Sequence, residues 1–258
     1  MAIFKSGNPT LTEKIFDNSL TAQANAQGIM SVRGTLNKFG FLMLMVIGGA
    51  FYTWHTYASG QPQTTTTLMM VGIFGGLVAA IGIMFKPMWA GYIAPAYGIL
   101  EGLFIGGISA IINDMFAKNY PNLVLQAVGL TFGVALAMFL LYSFRIIKVT
   151  DKLRSIIFTA TLGIAIFYGL TLILSLFNVN MPFMSITNGG MLGIGISLFV
   201  VAVAAMNLLL DFDMIERGAE QGAPKFMEWY GAFGLLVTIV WLYIEILKLL
   251  SRFASNRN

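Results

Sequence analysis

Four carboxylates lie at or inside segments that are long and apolar enough to cross a membrane. They are Glu101, Asp211, Asp213 and Glu245. An ionised side chain is costly in hydrocarbon, so residues of this kind face protein or water and by default mark pathways for ions or protons. The sequence therefore predicts a site for cations and protons in the interior of a helix bundle.

Asp211 and Asp213 cannot both face that interior. Two residues that are two positions apart on a helix point about 200° away from each other. Leu208 and Ile215 lie on one apolar ridge with Asp211, so we expect Asp211 to point into the bundle. Asp213 and Glu216 are then expected to face the cytoplasmic head groups as solvated charges.

Glu245 has mainly apolar neighbours on both sides in the sequence. Burial disfavours a charged carboxylate unless it is paired, and two interpretations follow. In the first, Glu245 and Asp211 form an acidic pair that shares a proton and titrates as a unit. In the second, Glu245 makes a local ion pair with Lys248, worth roughly 0.2–0.5 kcal/mol if it is exposed.

Glu101 lies on the shoulder of a ridge of small residues. Gly98, Gly102 and Gly106 recur at steps of four, a pattern that lets another helix approach closely. Close packing there would turn Glu101 away from lipid. We expect it to be either a hydrogen-bonded acid in the interior or a member of an ion path.

The composition sets the class of protein. Hydrophobic residues make up 57% of the 258 positions and charged residues 10%, far below the roughly 25% charged content of soluble domains. The net charge is +4, but the basic residues form no stripe, which argues against nucleic acid as a partner. With no cysteine, one histidine and no catalytic motif, we expect neither an enzyme nor a resident cofactor.

A helix that crosses the hydrocarbon core needs about 20 mainly apolar residues, and seven segments meet that rule. They are Phe39–His55, Thr67–Phe85, Met88–Ile112, Leu123–Phe144, Ile156–Phe177, Gly190–Leu210 and Trp229–Leu250. We therefore predict an all-α, polytopic membrane protein with a seven-transmembrane-helix bundle over residues 37–253. Residues 1–36 are predicted to form a polar cytoplasmic segment, and the lipid bilayer is the first expected partner.

The charges of the connections predict the orientation. Residues 59–66 and 178–188 carry no charge, whereas residues 145–154 carry four basic side chains. The positive-inside bias places the N-terminus, residues 145–154 and Lys86 on the cytoplasmic side. Seven spans would put the C-terminus outside, yet basic residues also cluster there, so a last segment that re-enters without crossing stays open.

The segments LLLDFDMIERG and WLYIEILKLL resemble the paired acidic motifs of the Bax inhibitor family, also called the transmembrane Bax inhibitor motif family. The runs IFKSGNPTLTEK and AYGILEGLFIGGISA resemble a prokaryotic branch of it. The resemblance extends over essentially the whole chain. It implies seven helices in a bacterial inner (plasma) membrane, with the N-terminus in the cytoplasm.

The resemblance also implies a pH-gated passive calcium leak, controlled by two aspartates that share a proton between the sixth and seventh helices. Asp211 matches the first aspartate, and Glu245 falls where the motif LYxD would place the second. Both would bind calcium transiently through carboxylate oxygens. Lys86 corresponds to a basic latch residue of the family, where arginine would be the better match; otherwise we expect it to reach toward the head groups.

The depth of Glu245 limits this interpretation. If the last helix begins at Trp229, Glu245 lies about 24 Å along it, too deep to meet an Asp211 at the cytoplasmic end of the sixth span. The pair then requires a later helix start or a displaced sixth helix. The alternative function is a non-conducting membrane regulator that binds a membrane protease or another membrane partner through the N-terminal tail. Resemblance to bacterial members implies that kind of role.

Overall fold

The computed structural model describes residues 28–177, 179, 181, 185 and 189–256. Within these residues the regular structure is helical, and seven helices are long and apolar enough to cross a membrane. They are α1 Val32–Ala58, α2 Pro62–Phe85, α3 Ala90–Phe116, α4 Leu123–Ser143, α5 Asp151–Leu176, α6 Met191–Glu220 and α7 Met227–Asn256. The predicted all-α membrane fold with seven helices is confirmed.

The helices differ in extent from the predicted spans, and α1 and α6 extend furthest beyond them at one end. α1 begins at Val32, within the predicted polar segment, and the remainder of that segment up to residue 27 lies outside the described residues. α6 does not end at Leu210 but continues to Glu220. Hydropathy drops at the first charges, whereas the helix continues because Asp213 and Arg217 pair one turn apart, with 3.0 Å between Oδ2 and Nε.

Local side-chain chemistry accounts for several helix ends. The Ser31 hydroxyl accepts a hydrogen bond from the Gly34 N–H at 3.0 Å and caps α1. Thr150 caps α5 in the same way, through the Leu153 N–H. α2 ends where Pro87 follows Lys86, and a 3₁₀ turn at Pro87–Trp89 leads directly into α3. The second and third helices therefore form a tight hairpin, as the sequence predicts from Lys86-Pro87, which leaves almost no loop between the two apolar segments.

The chain divides into two compact units, and α6 and α7 each contribute to both. The first unit contains the described residues up to 115 together with residues 211–237. The second unit contains the described residues from 116 to 210 together with those from 238 onward. In the second unit, Ile164 of α5 packs with Val200 and Val203 of α6, and Trp241 of α7 packs against this cluster.

The glycine ridge of α3 lies against α1 in the first unit. A Cβ atom at Gly98 would lie 3.1 Å from the carbonyl oxygen of Leu42. A Cβ at Gly106 would lie 2.6 Å from the Cα of Ala50, closer than real Cβ contacts allow. The predicted close helix approach is confirmed, because only glycine leaves room for the neighbouring backbone at these positions.

We expect Gly102→Ala to destabilise the protein by about 1–3 kcal/mol, because the added methyl group would collide with the α1 backbone at Val46 and Gly49. Gly133→Ala is the matched control, since a Cβ at that helical position meets no atom within 4 Å. The control should be neutral or stabilising by up to about 1 kcal/mol. Unfolding of both variants in mixed detergent micelles measures the difference, and equal stabilities would contradict the packing.

Candidate functional site

Glu245 lies on α7, is 1% exposed, and is held by two side chains of the second unit. The Tyr168 hydroxyl of α5 lies 3.2 Å and 3.1 Å from its two carboxylate oxygens and donates to the carboxylate. The Lys248 ammonium lies 3.0 Å from Oε1, and it also lies over the Tyr168 ring, 5.0 Å from the ring centre. The local Lys248 pair predicted from the sequence is therefore present.

The burial of Glu245 changes how much this ion pair matters for stability. An exposed pair at this spacing contributes little, but losing one partner of a buried ion pair leaves an uncompensated charge and is strongly destabilising. Tyr168 and Lys248 together supply the hydrogen bonds and the counter-charge that an ionised Glu245 needs. We call these three residues the Glu245 triad. Tyr168 was not predicted as a partner, because it lies far from Glu245 in the sequence.

Arg252 lies two turns beyond Glu245 on the same helix and is also buried. Its guanidinium donates to the carbonyl oxygen of Gly193 and to the Ser197 hydroxyl, at 2.9 Å for the latter, so it links α7 to the start of α6. Arg252 was considered only as a basic residue near the C-terminus. Its spacing of seven residues from Glu245 places both side chains on one face of the helix, and this spacing could have predicted that Arg252 is buried.

Glu101 is partly buried on α3, in the first unit. The Tyr97 hydroxyl, one turn earlier, hydrogen-bonds its carboxylate. The carboxylate also faces α2, because a Cβ at Gly76 would lie 3.4 Å from Oε2. Of the two predicted roles, the hydrogen-bonded interior acid matches these contacts, and a part in an ion path stays a prediction.

Asp211 is fully buried, as predicted for the acid that points inward. The α6 helix continues for more than two turns beyond it, so Asp211 lies inside the helix and not at its end. Asp213 is not the solvated charge that we expected: it is 8% exposed and pairs with Arg217. The reason is again the longer helix, which places Arg217 one turn away as a counter-charge.

The acidic pair itself stays a prediction of the sequence. Asp211 belongs to the first unit and Glu245 to the second. The last helix begins at Met227, slightly earlier than the predicted Trp229, so the later start that the pair was expected to require is not found.

Lys86 ends α2, is exposed, and places its ammonium 4.4 Å from the centre of the Trp89 ring. This cation–π contact suits the head-group position that the sequence also allowed. Its role as a latch stays a prediction.

Glu228 is a further buried carboxylate, in a place where the positive-inside bias predicts a cytoplasmic loop over residues 217–228. It opens α7, is fully buried, and accepts hydrogen bonds from the Ser31 N–H at 3.0 Å and the Ser31 hydroxyl at 2.9 Å. The Lys225 ammonium lies 2.8 Å from Oε1, and the Lys38 ammonium pairs with Oε2. We call Ser31, Lys38, Lys225 and Glu228 the Glu228 cluster.

The backbone reinforces the Glu228 cluster. The Met30 N–H donates to the Ala223 carbonyl at 2.7 Å, and the Lys225 N–H donates to the Gly28 carbonyl at 3.1 Å. The entry to α1 is thereby tied to the connection between α6 and α7. A signal in the sequence was a carboxylate at the start of an apolar helix with a lysine three positions earlier.

No group of three or more histidine, cysteine, aspartate or glutamate side chains that could hold a metal ion occurs among the described residues. Asp211 and Glu245, the carboxylates predicted to bind calcium transiently, therefore do not belong to a group of three or more such side chains within the described residues. A tight calcium site usually brings together six to eight oxygen ligands.

A known family shares the sequence pattern of this chain. The Bax inhibitor 1 like family model matches residues 8–255. The chain belongs to the Bax inhibitor 1 like family. The match covers nearly the whole chain and confirms the resemblance read from the acidic motifs. Together with the seven apolar helices, it makes this Bax inhibitor 1 like protein an integral, multi-pass membrane protein. No individual curated protein matches the sequence.

In this Bax inhibitor 1 like protein, Glu228→Gln should lower stability by roughly 1–3 kcal/mol, because Lys38 and Lys225 lose the charge that compensates them. Glu220→Gln, a substitution of an exposed glutamate at the end of α6, is the matched control and should change stability by less than about 0.5 kcal/mol. Thermal unfolding of the purified protein in detergent measures both. A Glu228→Gln protein as stable as the control would contradict the structural role of the cluster.

Proposed function

We propose that this protein is a passive, pH-gated cation leak and that calcium is the cation it passes. The observation that carries the proposal is the Glu245 triad: a titratable carboxylate, 1% exposed, inside a helix long and apolar enough to cross a membrane. Ionisable residues inside membrane spans are expensive and by default functional. Membership of the Bax inhibitor 1 like family supports a membrane channel or regulator at the coarser level.

Protonation of Glu245 weakens an ion pair within α7 at the place where that helix contacts α5. The ionised carboxylate attracts Lys248 and accepts from the Tyr168 hydroxyl, which comes from α5. A proton on Glu245 removes the charge that holds Lys248, although the neutral acid still hydrogen-bonds Tyr168. A local change of charge at a packed helix contact is the kind of event that biases a two-state element.

The carboxylates of the helices suit calcium as the cation that passes. Glu101, Asp211 and Glu245 offer hard oxygen donors, which calcium prefers, and the chain has no cysteine and one histidine. Carboxylates that bind a cation weakly suit passage better than a tight cage, because an ion must also leave each site.

The direction of the pH response follows from charge. Ionised acids attract cations into the pathway, whereas protonated acids do not, so the flux should rise with pH and fall as the acids take up protons. Ionisation of Asp211 would raise the flux in the same way as ionisation of Glu245.

The proposal predicts that Glu245→Gln removes most of the pH dependence of calcium flux into proteoliposomes that contain a trapped calcium-sensitive dye. Glutamine keeps the shape and cannot ionise. Glu220→Gln serves as the control and should keep the parent response, since Glu220 is exposed. An unchanged pH response in Glu245→Gln would remove the triad from the mechanism. Flux equal to that of protein-free vesicles at every pH would refute the leak itself.

Tyr168→Phe should move the midpoint of the flux–pH curve, because the Glu245 carboxylate loses its hydrogen bond to α5. Tyr52→Phe, a substitution of an exposed tyrosine on α1, is the matched control and should leave the midpoint in place. A midpoint that does not move in Tyr168→Phe, or that moves equally in both proteins, would contradict this role of the hydroxyl.

The coupling of the two acids has its own test. If Asp211 and Glu245 share a proton, Asp211→Asn should alter the pH response, and the double variant with Glu245→Gln should add nothing to the larger single effect. Additive effects would show two independent acids.

Deletion of residues 1–27 separates the leak from the regulator. The described backbone contacts that hold the entry to α1 come from Gly28 and Met30, and both residues remain after the deletion. A leak should keep its pH-dependent flux. A regulator should lose a membrane partner and show no flux before or after the deletion.

A further inference from the structure

A cavity of about 560 Å³ lies beside the Glu228 cluster in the first unit. Lys38 and Lys225 line it on one side, and Met88, Gly91, Tyr92 and Trp229 contribute most of the remainder. The polar Glu228 cluster and the mainly apolar wall therefore line the same opening. The leak proposed above does not use this cavity.

The cavity carries a net positive charge. Glu228 gives one carboxylate oxygen to each lysine, with Lys225 at Oε1 and Lys38 at Oε2. Two ammonium groups and one carboxylate leave a net charge of +1. Each ammonium has three N–H donors, and one contact to Glu228 leaves donors for a further acceptor. The side chains are 20% exposed for Lys38 and 46% for Lys225, so both reach the opening.

Much of the wall of the cavity is aromatic. The Lys38 ammonium lies 5.4 Å from the centre of the Trp229 ring, and Phe41 meets that ring edge-on at 6.1 Å. Gly91 makes room for the indole, since a Cβ there would lie 3.3 Å from it. Tyr92 is 86% exposed at the start of α3, in the manner of an interfacial aromatic residue.

We propose that this cavity binds the phosphate head group of an anionic phospholipid. The two lysines would donate to the phosphate oxygens, and the exposed side chains of Met88 and Tyr92 would contact the first part of the acyl chains. Basic pockets between membrane helices recognise anionic head groups in this way. Free phosphate offers the same oxygens but no apolar part for the exposed rim, so the lipid is the favoured source.

Glu228 positions the two lysines of this site and does not itself bind the phosphate. It is fully buried, and it holds both ammonium groups at the opening. Because the same cluster ties the entry of α1 to the connection between α6 and α7, a bound head group would strengthen that junction. Anionic lipid should therefore stabilise the folded protein by mass action.

The test is thermal unfolding of the full-length protein in a neutral detergent, titrated with phosphatidylglycerol, with phosphatidylcholine and with inorganic phosphate. We expect a saturable rise of the midpoint with phosphatidylglycerol and none with phosphatidylcholine. The variant Lys38→Gln/Lys225→Gln keeps a hydrogen-bond donor for Glu228 at each position but removes both charges. It should weaken apparent lipid affinity roughly 30-fold, the factor that corresponds to about 1 kcal/mol for each lysine.

The matched control is Lys148→Gln/Lys152→Gln, which removes the same charge from two exposed lysines outside the cavity. It should bind the lipid within about twofold of the parent. Equal losses in the two double variants, or no loss in the cavity variant, would overturn the site. If inorganic phosphate matched phosphatidylglycerol, the ligand would be the free anion and the lipid assignment would be wrong. If the cavity double variant did not fold, Lys225→Gln alone, at a half-exposed position, would carry the test with an expected loss of roughly fivefold.

Discussion

A carboxylate inside a membrane-length helix is tolerated only where the protein supplies the donors and counter-charges that hydrocarbon lacks. Within the described residues, this chain meets that constraint differently at each acid. Glu245 uses a tyrosine from another helix and a lysine one turn along its own. Glu101 uses a tyrosine of its own helix, and Asp213 uses an arginine one turn later. The partner sets what each acid can do when the pH changes.

The partners divide the acids into structural and responsive ones. Glu228 has two lysines and a capping serine around it, so its charge is overcompensated and it acts as a fixed anchor for the start of α1. Glu245 hydrogen-bonds one lysine and a neutral hydroxyl, and the Arg252 guanidinium, which also acts on it electrostatically, is itself bonded to Gly193 and Ser197. Loss or gain of one proton changes the charge of the Glu245 triad between zero and +1, which is why we place the pH response at Glu245 and not at Glu228.

Much of the fold could be predicted because membrane insertion imposes length and composition on each helix. The seven spans, the tight turn at Lys86 and the glycine ridge of α3 all follow from such local rules. The end of α6 could not, because hydropathy falls at Asp211 whereas helical hydrogen bonding and the Asp213–Arg217 pair continue to later residues.

The partners of the buried acids were harder to predict than the acids. Lys248 is three residues from Glu245 and was found from helical spacing, but Tyr168 is 77 residues away in the chain. Glu228 looked like a loop charge because its donors Ser31 and Lys38 come from the opposite end of the sequence. A hydrophobicity pattern identifies which acids are out of place, and only the packing of helices shows which side chains compensate them.

Calcium flux through the Lys248→Met protein, measured against pH in proteoliposomes, tests the central claim most directly. Without the Lys248 ammonium, the ionised Glu245 carboxylate attracts cations with no hydrogen-bonded counter-charge beside it. We predict a flux–pH curve that differs from that of the parent and reaches a higher plateau. A curve that superimposes on that of the parent would contradict the assignment of Glu245 and its lysine as the pH-responsive element.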